Sequence, residues 1–369
     1  MTTLRLIARR STVALAALLV AGLGYAAWRS AAPAATLTHK PPPTMDWSAL
    51  PAAVITADPG RGELTIELPP VDLPAGAAGH HGVERPASVG EFPVTGAIFG
   101  FRTEAVDETG RQLPAAAIHH FNVMEPSERE LFLPIARRVL ATGQETGVVR
   151  LPWLLVGSRF RQGERILANA MLHNPTGEAY RGVRVRMVVN YIPEGRPWPL
   201  FAGSGWQLDV AFPVGDKSFD LPPGRSERSY EGSPAVPGDL VVIGGHLHEY
   251  GQTIELWDAT TGELMWHGEP ASSATGKQGA VPIGKLYGLT RRGAHITPAH
   301  RYRVRVVYDN PTGQVVSAGG MGVVAGLFIP DRGAVWPSAD PSDSLYQQDL
   351  RHFLGIGPPL AHMHEHAGH

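Results

Sequence analysis

The strongest constraint on the fold is a series of short runs in which apolar and polar residues alternate. Such runs occupy residues 63–68, 183–191, 253–258 and 302–308, and turn sequences such as PG, NPTG and PPG lie between them. A period of two places every second side chain on one face, which is the pattern of a half-buried β-strand. Many short strands separated by turn signals predict an all-β chain of two tandem antiparallel β-sandwich domains, jelly-roll-like in plan.

A weak internal repeat supports two domains of the same architecture. LHNPTG at 172–177 corresponds to YDNPTG at 308–313, and a pair of histidines lies upstream of each. The chain has 369 residues, enough for two cores, and no cysteine, so each sandwich must rest on its core without disulfides. We expect the first sandwich over residues 52–215 and the second over 216–340.

One segment does not fit the strand pattern. Residues 126–142, PSERELFLPIARRVLAT, form the one stretch whose spacing favours a helix. The polar residues within it equally fit an excursion between two strands.

The N-terminus predicts export. Basic residues precede an apolar run at 11–28, which indicates a signal peptide or an N-terminal membrane anchor over residues 1–35. Because the run is at the short end for a membrane span, both alternatives stay open. A linker rich in Pro and Ala follows over 36–51. We therefore expect a protein outside the bacterial cytoplasm, periplasmic or secreted, or anchored to the membrane. The formal net charge of −2 argues against a nucleic-acid partner.

Two triplets of metal-ligand candidates follow one another along the chain, His/His/His and then His/His/Met. They are His119, His120 and His173, followed by His246, His248 and Met321. Imidazole binds copper well, and a thioether is a soft ligand that selects Cu(I). His246 and His248 face the same side of a strand and can chelate one ion. The adjacent His119 and His120 can do so only at a strand end or a bulge.

Taken singly, most of these six residues fit polar surface or core packing better than a metal site, and only the HxH pair comes near parity. Their order and their spacing together predict two copper ions per chain. The predicted tail over residues 341–369 adds further candidate ligands. These are His362, Met363, His364, His366 and His369. A tract of this composition indicates metal binding, and a disordered tail with incidental histidines is the alternative.

At these residues the chain resembles the copper type II, ascorbate-dependent monooxygenases, the family of peptidylglycine α-hydroxylating and dopamine β-monooxygenase. The resemblance covers roughly residues 90–335 and suggests a divergent bacterial member. It rests on the sequences IHHFNV, AMLHNP, FDLPPG, HLHEYG and GGMGVV. That family folds as two tandem β-sandwiches, which agrees with the strand pattern.

The resemblance implies a role for each triplet. The first triplet would bind an electron-storing copper. His246, His248 and Met321 would bind the copper at which oxygen reacts and would form the catalytic site. Ascorbate or a similar reductant would supply electrons, and an organic substrate would be hydroxylated with O2.

The chain departs from the family's pattern at the substrate positions. Peptide-hydroxylating members have an arginine two residues before the HxH sequence and a tyrosine four residues after the methionine. This chain has Gly244 and Ala325 there. Asn174 replaces the aromatic residue after the third histidine, and the family's disulfides are missing. A peptidylglycine substrate is therefore not expected.

Two other functions remain open. One is a copper-binding or copper-carrying protein of the cell envelope, without catalysis, on the same scaffold. The other is a surface-recognition or glycan-related β-sandwich module. The sequence contains no GxSxG, P-loop or HExxH motif, which argues against the common hydrolases and nucleotide-binding enzymes that carry them.

Overall fold

Antiparallel β-strands make up most of the described chain in the computed structural model. The structure describes residues 47–77, 83–84, 87–143, 146–212, 217–270, 280–288 and 292–355. The predicted signal or anchor segment, most of the linker and the candidate ligands of the tail from His362 onward lie outside these ranges. No helix within the described ranges is long and apolar enough to cross a membrane. The all-β fold predicted from the alternation is confirmed.

The first sandwich consists of two sheets with a shared core. Its eight-stranded sheet contains β1 (Val54–Asp58), β2 (Glu63–Glu67), β3 (Val71–Leu73), β6 (Gly96–Val106), β9 (Val149–Arg150), β10 (Val156–Phe160), β12 (Tyr180–Pro193) and β13 (Phe201–Ala202). Its five-stranded sheet contains β4 (Val83–Glu84), β5 (Ser88–Glu91), β7 (Ile118–Arg129), β8 (Ala136–Gly143) and β11 (Arg165–Leu172). Alternate residues such as Ile66 and Phe121 meet between the two sheets and are fully buried.

The second sandwich is built from the strands that follow. One sheet contains β14 (Ser204–Asp209), β17 (Gly238–Leu247), β20 (Ala280–Lys285), β21 (Ala294–Ile296) and β24 (Gly322–Pro330). A second sheet contains β16 (Gly224–Gly232), β18 (Gly251–Asp258), β19 (Glu263–Gly268) and β22 (Tyr302–Asn310), and a short pair joins β15 (Phe219–Leu221) to β23 (Val316–Gly320). Ile243 and Val306 are among the fully buried residues of the core between them.

Of the two alternatives for residues 126–142, the helix does not form: the segment is two strands joined by a connection. β7 continues to Arg129 and β8 begins at Ala136, so residues 130–135 form the connection. Leu131, Phe132, Leu133 and Ile135 of this connection are buried in the core of the second sandwich. Burial against distant residues therefore overrides the local helical spacing, and the connection joins the two sandwiches into one compact unit.

The described chain contains two 3₁₀ turns, Trp47–Ala49 and Ala115–Ala117, and one α-helix, α1 (Ser344–Phe353), near its C-terminal end. The side chain of Asp343 accepts two backbone N–H groups of the first turn of α1 and caps it. The helix packs on the outer face of the five-stranded sheet. Arg138 of β8 donates two hydrogen bonds, at 2.7 and 2.8 Å, to the buried carboxylate of Asp349, which anchors the helix.

The two NPTG turns share one hydrogen-bond network. The side-chain oxygen of Asn174 accepts the backbone N–H group and the hydroxyl group of Thr176 at 3.2 and 2.6 Å. Asn310 accepts the same two groups of Thr312 at 3.1 and 2.7 Å. Asparagine side chains that bond their own backbone two residues on form Asx-turns. The repeat in the sequence is therefore also a repeat in the structure.

Each of these asparagines also holds an upstream strand. The amide of Asn174 donates to the carbonyl groups of the Leu-Pro pair at 73–74, and the amide of Asn310 donates to those of the pair at 221–222. Both pairs belong to Asp-Leu-Pro sequences. This second repeat was missed by the sequence analysis, although it is visible in the chain.

Candidate metal sites and cavity

The histidine pair lies at a β-bulge at the beginning of β7. His120 pairs with Met171 of β11, and the next pair joins Ile118 to Leu172, so His119 is the extra residue of the bulge. A bulge bends its strand and re-aims the side chains beside it. The structure thus contains the local condition under which adjacent strand histidines can serve one ion.

The third histidine of the first triplet lies beside the pair. The backbone N–H group of His173 donates to the carbonyl group of Ala117 at 2.9 Å, next to the bulge. The ring centroids of His119 and His173 are 4.3 Å apart with nearly parallel planes, and those of His119 and His120 are 5.5 Å apart. All three side chains are half-buried. Residues separated by more than fifty positions are thereby brought into one cluster.

The environment of His120 favours its neutral form. Burial, followed by the neighbouring imidazoles of His119, His173 and His246, lowers the pKa of His120 to about 4. A metal ligand must be deprotonated, so a low pKa reduces competition from protons at neutral pH. The main cause is burial, which disfavours the charged imidazolium, and the neighbouring imidazoles add charge repulsion.

The second triplet forms where β17 ends and β24 begins. Leu247, the last residue of β17, pairs with Gly322, so the register places Met321 opposite His248. The rings of His246 and His248 have centroids 5.4 Å apart and are perpendicular. His246, His248 and Met321 are each half-buried. The two histidines therefore lie on neighbouring positions of one face, as the HxH spacing predicts.

Tyr308 connects the two chain segments of the second triplet. Its hydroxyl group accepts the backbone N–H groups of His248 and Met321, each at 3.0 Å, and donates to the carbonyl group of Met321. Tyr308 is fully buried, and burial raises the pKa of its hydroxyl group to about 12. The group is therefore protonated at every physiological pH and can serve all three bonds.

The two triplets interact electrostatically. His246 is among the groups whose charge lowers the pKa of His120, so the two imidazoles are close enough to interact electrostatically. His246 also pairs across the sheet with Val323, which pairs with Asp209. Burial raises the pKa of Asp209 to about 6, against the opposing effects of Lys217 and other nearby groups. A buried carboxyl group thus shares a row of the sheet with a predicted ligand.

A cavity of about 790 Å³ lies between the two sandwiches and reaches His246. One wall is the outer face of the sheet that contains β14, β24, β17 and β20. The opposite wall is formed by β6, β8, β9, β10 and the segment 146–155 of the first sandwich. The lining is mainly aliphatic and aromatic, and it is within the size range of sites for small organic ligands.

The two positions at which the chain departs from the resembled family are neighbours in this wall. Gly244 of β17 pairs directly with Ala325 of β24, and both line the cavity. A Cβ atom on Gly244 would meet only Ile283 at 3.5 Å and the carbonyl oxygen of Val281 at 4.0 Å, which are ordinary contacts. The backbone therefore accepts a side chain at this position, and the glycine leaves space in the cavity.

The described residues contain one set of three His, Asp or Glu side chains whose ligand atoms all lie within 4.8 Å of one another. It consists of Asp239, His295 and Asp331. The ligand atoms of the first triplet are farther apart, since they do not all lie within 4.8 Å of one another. Arg292 forms ion pairs with both aspartates and so supplies a positive charge to this set. The set was missed by the sequence analysis, because its members come from three separate strands and loops.

No protein-family model matches the chain. No curated protein matches it either. Among solved structures, PNGF-II is 8% identical in sequence. The alignment covers 80% of this chain and 64% of PNGF-II, with a TM-score of 0.30. Latent PorU from Porphyromonas gingivalis shares 11% over 65% of this chain and 25% of that one, with a TM-score of 0.19. The PBSX exported protein XepA is 10% identical in sequence and aligns with 78% of this chain and 88% of its own, with a TM-score of 0.16.

The chain spans less than two thirds of the length of PNGF-II and of PorU. At these TM-scores the similarities carry no argument about function. The functional argument therefore depends on the residues of this chain and their surroundings.

Proposed function

We propose that the chain is a copper-dependent monooxygenase that uses O2 and a reductant such as ascorbate to hydroxylate an organic substrate. The observation that carries this proposal is the position of His246. This residue belongs to the second triplet, its charge lowers the pKa of His120 in the first triplet, and it lines the cavity between the sandwiches. A ligand in the cavity would thus lie beside one metal site and near the other.

The donor chemistry of both triplets fits copper. His119, His120 and His173 offer three half-buried imidazoles, while the second triplet offers two imidazoles and a thioether. When bound at the second triplet, copper would supply the activation of oxygen that hydroxylation requires. In the overall reaction a substrate C–H bond is replaced by C–OH, and the second oxygen atom leaves as water. The reductant provides two electrons, and two protons come from the solvent.

The chain itself would position and protect the reacting groups. Tyr308 fixes the backbones of His248 and Met321 relative to each other, so two ligands on different strands keep their spacing. The low pKa of His120 keeps its imidazole neutral and available for a metal. The apolar walls would exclude water around the substrate, which protects reactive species from side reactions.

A copper carrier on the same scaffold is the second candidate. The open arrangement of the first triplet favours this alternative, because its ligand atoms are not all within 4.8 Å of one another. A carrier would bind copper without consuming oxygen. Export and membrane anchoring are part of both proposals, and they rest on residues outside the described ranges.

Metal analysis of the purified chain, combined with ascorbate-dependent oxygen uptake, tests the proposal. We expect two coppers per chain, and one after either His246→Ala or Met321→Ala. His295→Ala is the matched control, since it removes a histidine from the cluster with Asp239 and Asp331 and leaves both triplets intact. A full copper load after both changes in the second triplet contradicts the site. Two coppers without oxygen uptake on any substrate support the carrier.

A further inference from the structure

We infer that the cavity between the sandwiches binds an anionic amphiphile, with a medium-length hydrocarbon chain along its walls and the anionic group at its mouth. As a statement about the substrate, this inference rests on the proposed function. As a statement about binding, it rests on the cavity alone.

The walls fit a hydrocarbon chain. Alternate residues of three neighbouring strands line the cavity, and apart from the polar Gln207 of β14 these residues are short or apolar. The short or apolar ones are Gly205 of β14, Val323, Ala325 and Leu327 of β24, and Val242 and Gly244 of β17. The opposite wall adds aliphatic and aromatic side chains such as Phe101, Leu140 and Val156. Each methylene group of a hydrocarbon chain that is buried against such a surface strengthens binding, by about fourfold.

The mouth lies where the lining residues are exposed. The exposed apolar residues of the lining come from two segments, 148–155 and 283–287, on opposite sides of the cavity. Ile283 is 69% exposed and Val148 is 60% exposed. Large apolar side chains with this exposure around a cavity are typical of a ligand entrance.

The charges of the lining all have one sign. Four basic residues line the cavity, and no Asp or Glu of the described residues does so. Two of the four are already neutralised, since Arg138 pairs with Asp349 and Arg292 pairs with Asp331.

The other two basic residues, Arg150 and Lys285, are available to a ligand. Both are exposed, and neither forms an ion pair with a carboxylate of the described chain. Two such cations beside an apolar cavity complement a ligand with an anionic head and a hydrocarbon tail.

The register gives the length of that ligand. Lys285 pairs with Val242, and His246 lies four residues further along the same strand. At about 3.3 Å per residue, the two positions are about 13 Å apart along β17. A ligand whose head contacts Lys285 thus reaches His246 with the far half of a medium-length chain, which favours oxidation away from the head.

Dodecanoate is a suitable probe for the metal-free chain, and calorimetric titration measures its binding. We expect one dodecanoate per chain, with binding to dodecanol weaker by about tenfold because the headgroup charge is lost. The double change Arg150→Gln/Lys285→Gln should lower the affinity for dodecanoate to that for dodecanol. The matched control is Arg184→Gln/Arg225→Gln, which removes two exposed arginines outside the cavity and should leave binding unchanged.

Filling the cavity provides a second, charge-independent test. Gly244→Leu should weaken both ligands by at least about tenfold, since several methylene contacts are lost. Ala325→Leu places a larger side chain on the neighbouring strand and also fills the cavity. It replaces the first variant if Gly244→Leu does not fold. Sedimentation with phosphatidylglycerol vesicles distinguishes a free amphiphile from a lipid surface, and binding to vesicles without binding to monomeric dodecanoate overturns the inference.

The outcomes separate this inference from the proposed function. Equal affinity for dodecanoate and dodecanol, or binding that survives both cavity-filling variants, overturns the inference even where copper and oxygen uptake are found. Binding with the expected pattern in a chain that takes up no copper supports the cavity and removes the oxygenase proposal. Hydroxylated dodecanoate, detected by mass spectrometry with the copper-loaded chain and ascorbate, supports both.

Discussion

The hydroxyl group of Tyr308 accepts the backbone N–H group of Met321 at 3.0 Å and donates to the carbonyl group of the same residue. A side chain from the opposite sheet of the sandwich thereby fixes the start of β24. The same hydroxyl group accepts the N–H group of His248. The spacing between two predicted ligands is consequently set by a residue that is not itself a ligand.

Tyr308→Phe should weaken copper binding at the second triplet and leave copper binding at the first triplet unchanged. The change leaves two partly buried N–H groups without their acceptor, which costs about 1 kcal/mol or more of folding free energy. Copper titration and urea unfolding measure the two effects. Tyr302→Phe is the matched control, because the buried Tyr302 hydroxyl also accepts a backbone N–H group, that of Thr297 at 3.0 Å. The control should lose stability without losing copper affinity, and an equal loss of copper in both variants would argue against positioning.

Asn174→Ala and Asn310→Ala should destabilise the chain by similar amounts, about 1–3 kcal/mol each, because each leaves buried carbonyl groups without a donor. Urea unfolding of both variants checks this. Only Asn174→Ala should also weaken copper at the first triplet, since His173 immediately precedes that turn. If Asn310→Ala weakens the first triplet equally, the effect is global instability rather than local displacement of His173.

The apoprotein should lose stability as the pH falls from about 6.5 to about 4. The pKa of His120 is lowered to about 4 in the folded chain, while the unfolded chain keeps the ordinary value near 6.5. In this window the unfolded state binds more protons, so acid favours unfolding. An NMR titration of the His120 ring in the metal-free chain measures the pKa directly. A midpoint at or above 6.5 contradicts the burial on which this prediction depends.

The docking of α1 should weaken at more acid pH. Burial raises the pKa of Asp349, but the charge and hydrogen bonds of Arg138 outweigh it and hold the pKa below 3.8. A carboxyl group with a depressed pKa contributes stability above the unfolded pKa, which is lost as the pH falls through the folded pKa. Unfolding midpoints measured from pH 6 downward should therefore fall more steeply in the wild type than in Asp349→Asn.

Glu91→Gln provides the comparison for that experiment. Its ion pair with Arg165 is exposed on both sides and should contribute little to the pH dependence. A pH profile of Asp349→Asn that is as steep as the wild-type profile excludes the pair with Arg138 as the acid-sensitive group.

Local patterns were sufficient for most of the fold. Alternation located β2, β12, β18 and β22, because burial of one face of a strand against a core imposes a period of two on its residues. The NPTG repeat corresponds to two equivalent Asx-turns, since the turn chemistry of Asn and Thr is local. The α-helix could also have been found: Asp343 is a good cap, and Tyr346, Leu350 and Phe353 follow helical spacing.

The roles of the six predicted ligands stay predictions, but their arrangement is now partly defined. The HxH spacing alone indicated that His246 and His248 share a face. The bulge that brings His119 and His120 together depends on the pairing of β7 with β11. The sequence does not reveal the register of that pairing. Of the two alternatives left open for residues 126–142, the helix was wrong and the connection between two strands is what forms, since its apolar residues are buried by the other sandwich.

Strand positions, turn chemistry and the set of possible metal ligands followed from short stretches of sequence, because each depends on neighbours along the chain. The cavity, its cationic lining and the electrostatic interaction between His120 and His246 arise only when two sandwiches pack. They join residues more than a hundred positions apart, and two sets of buried residues connect the sandwiches: the 130–135 connection, and the cluster of Val156 with Val241, Leu327 and Ile329. Since packing free energy depends on the shapes of surfaces that meet in three dimensions, these features were decided by tertiary structure alone.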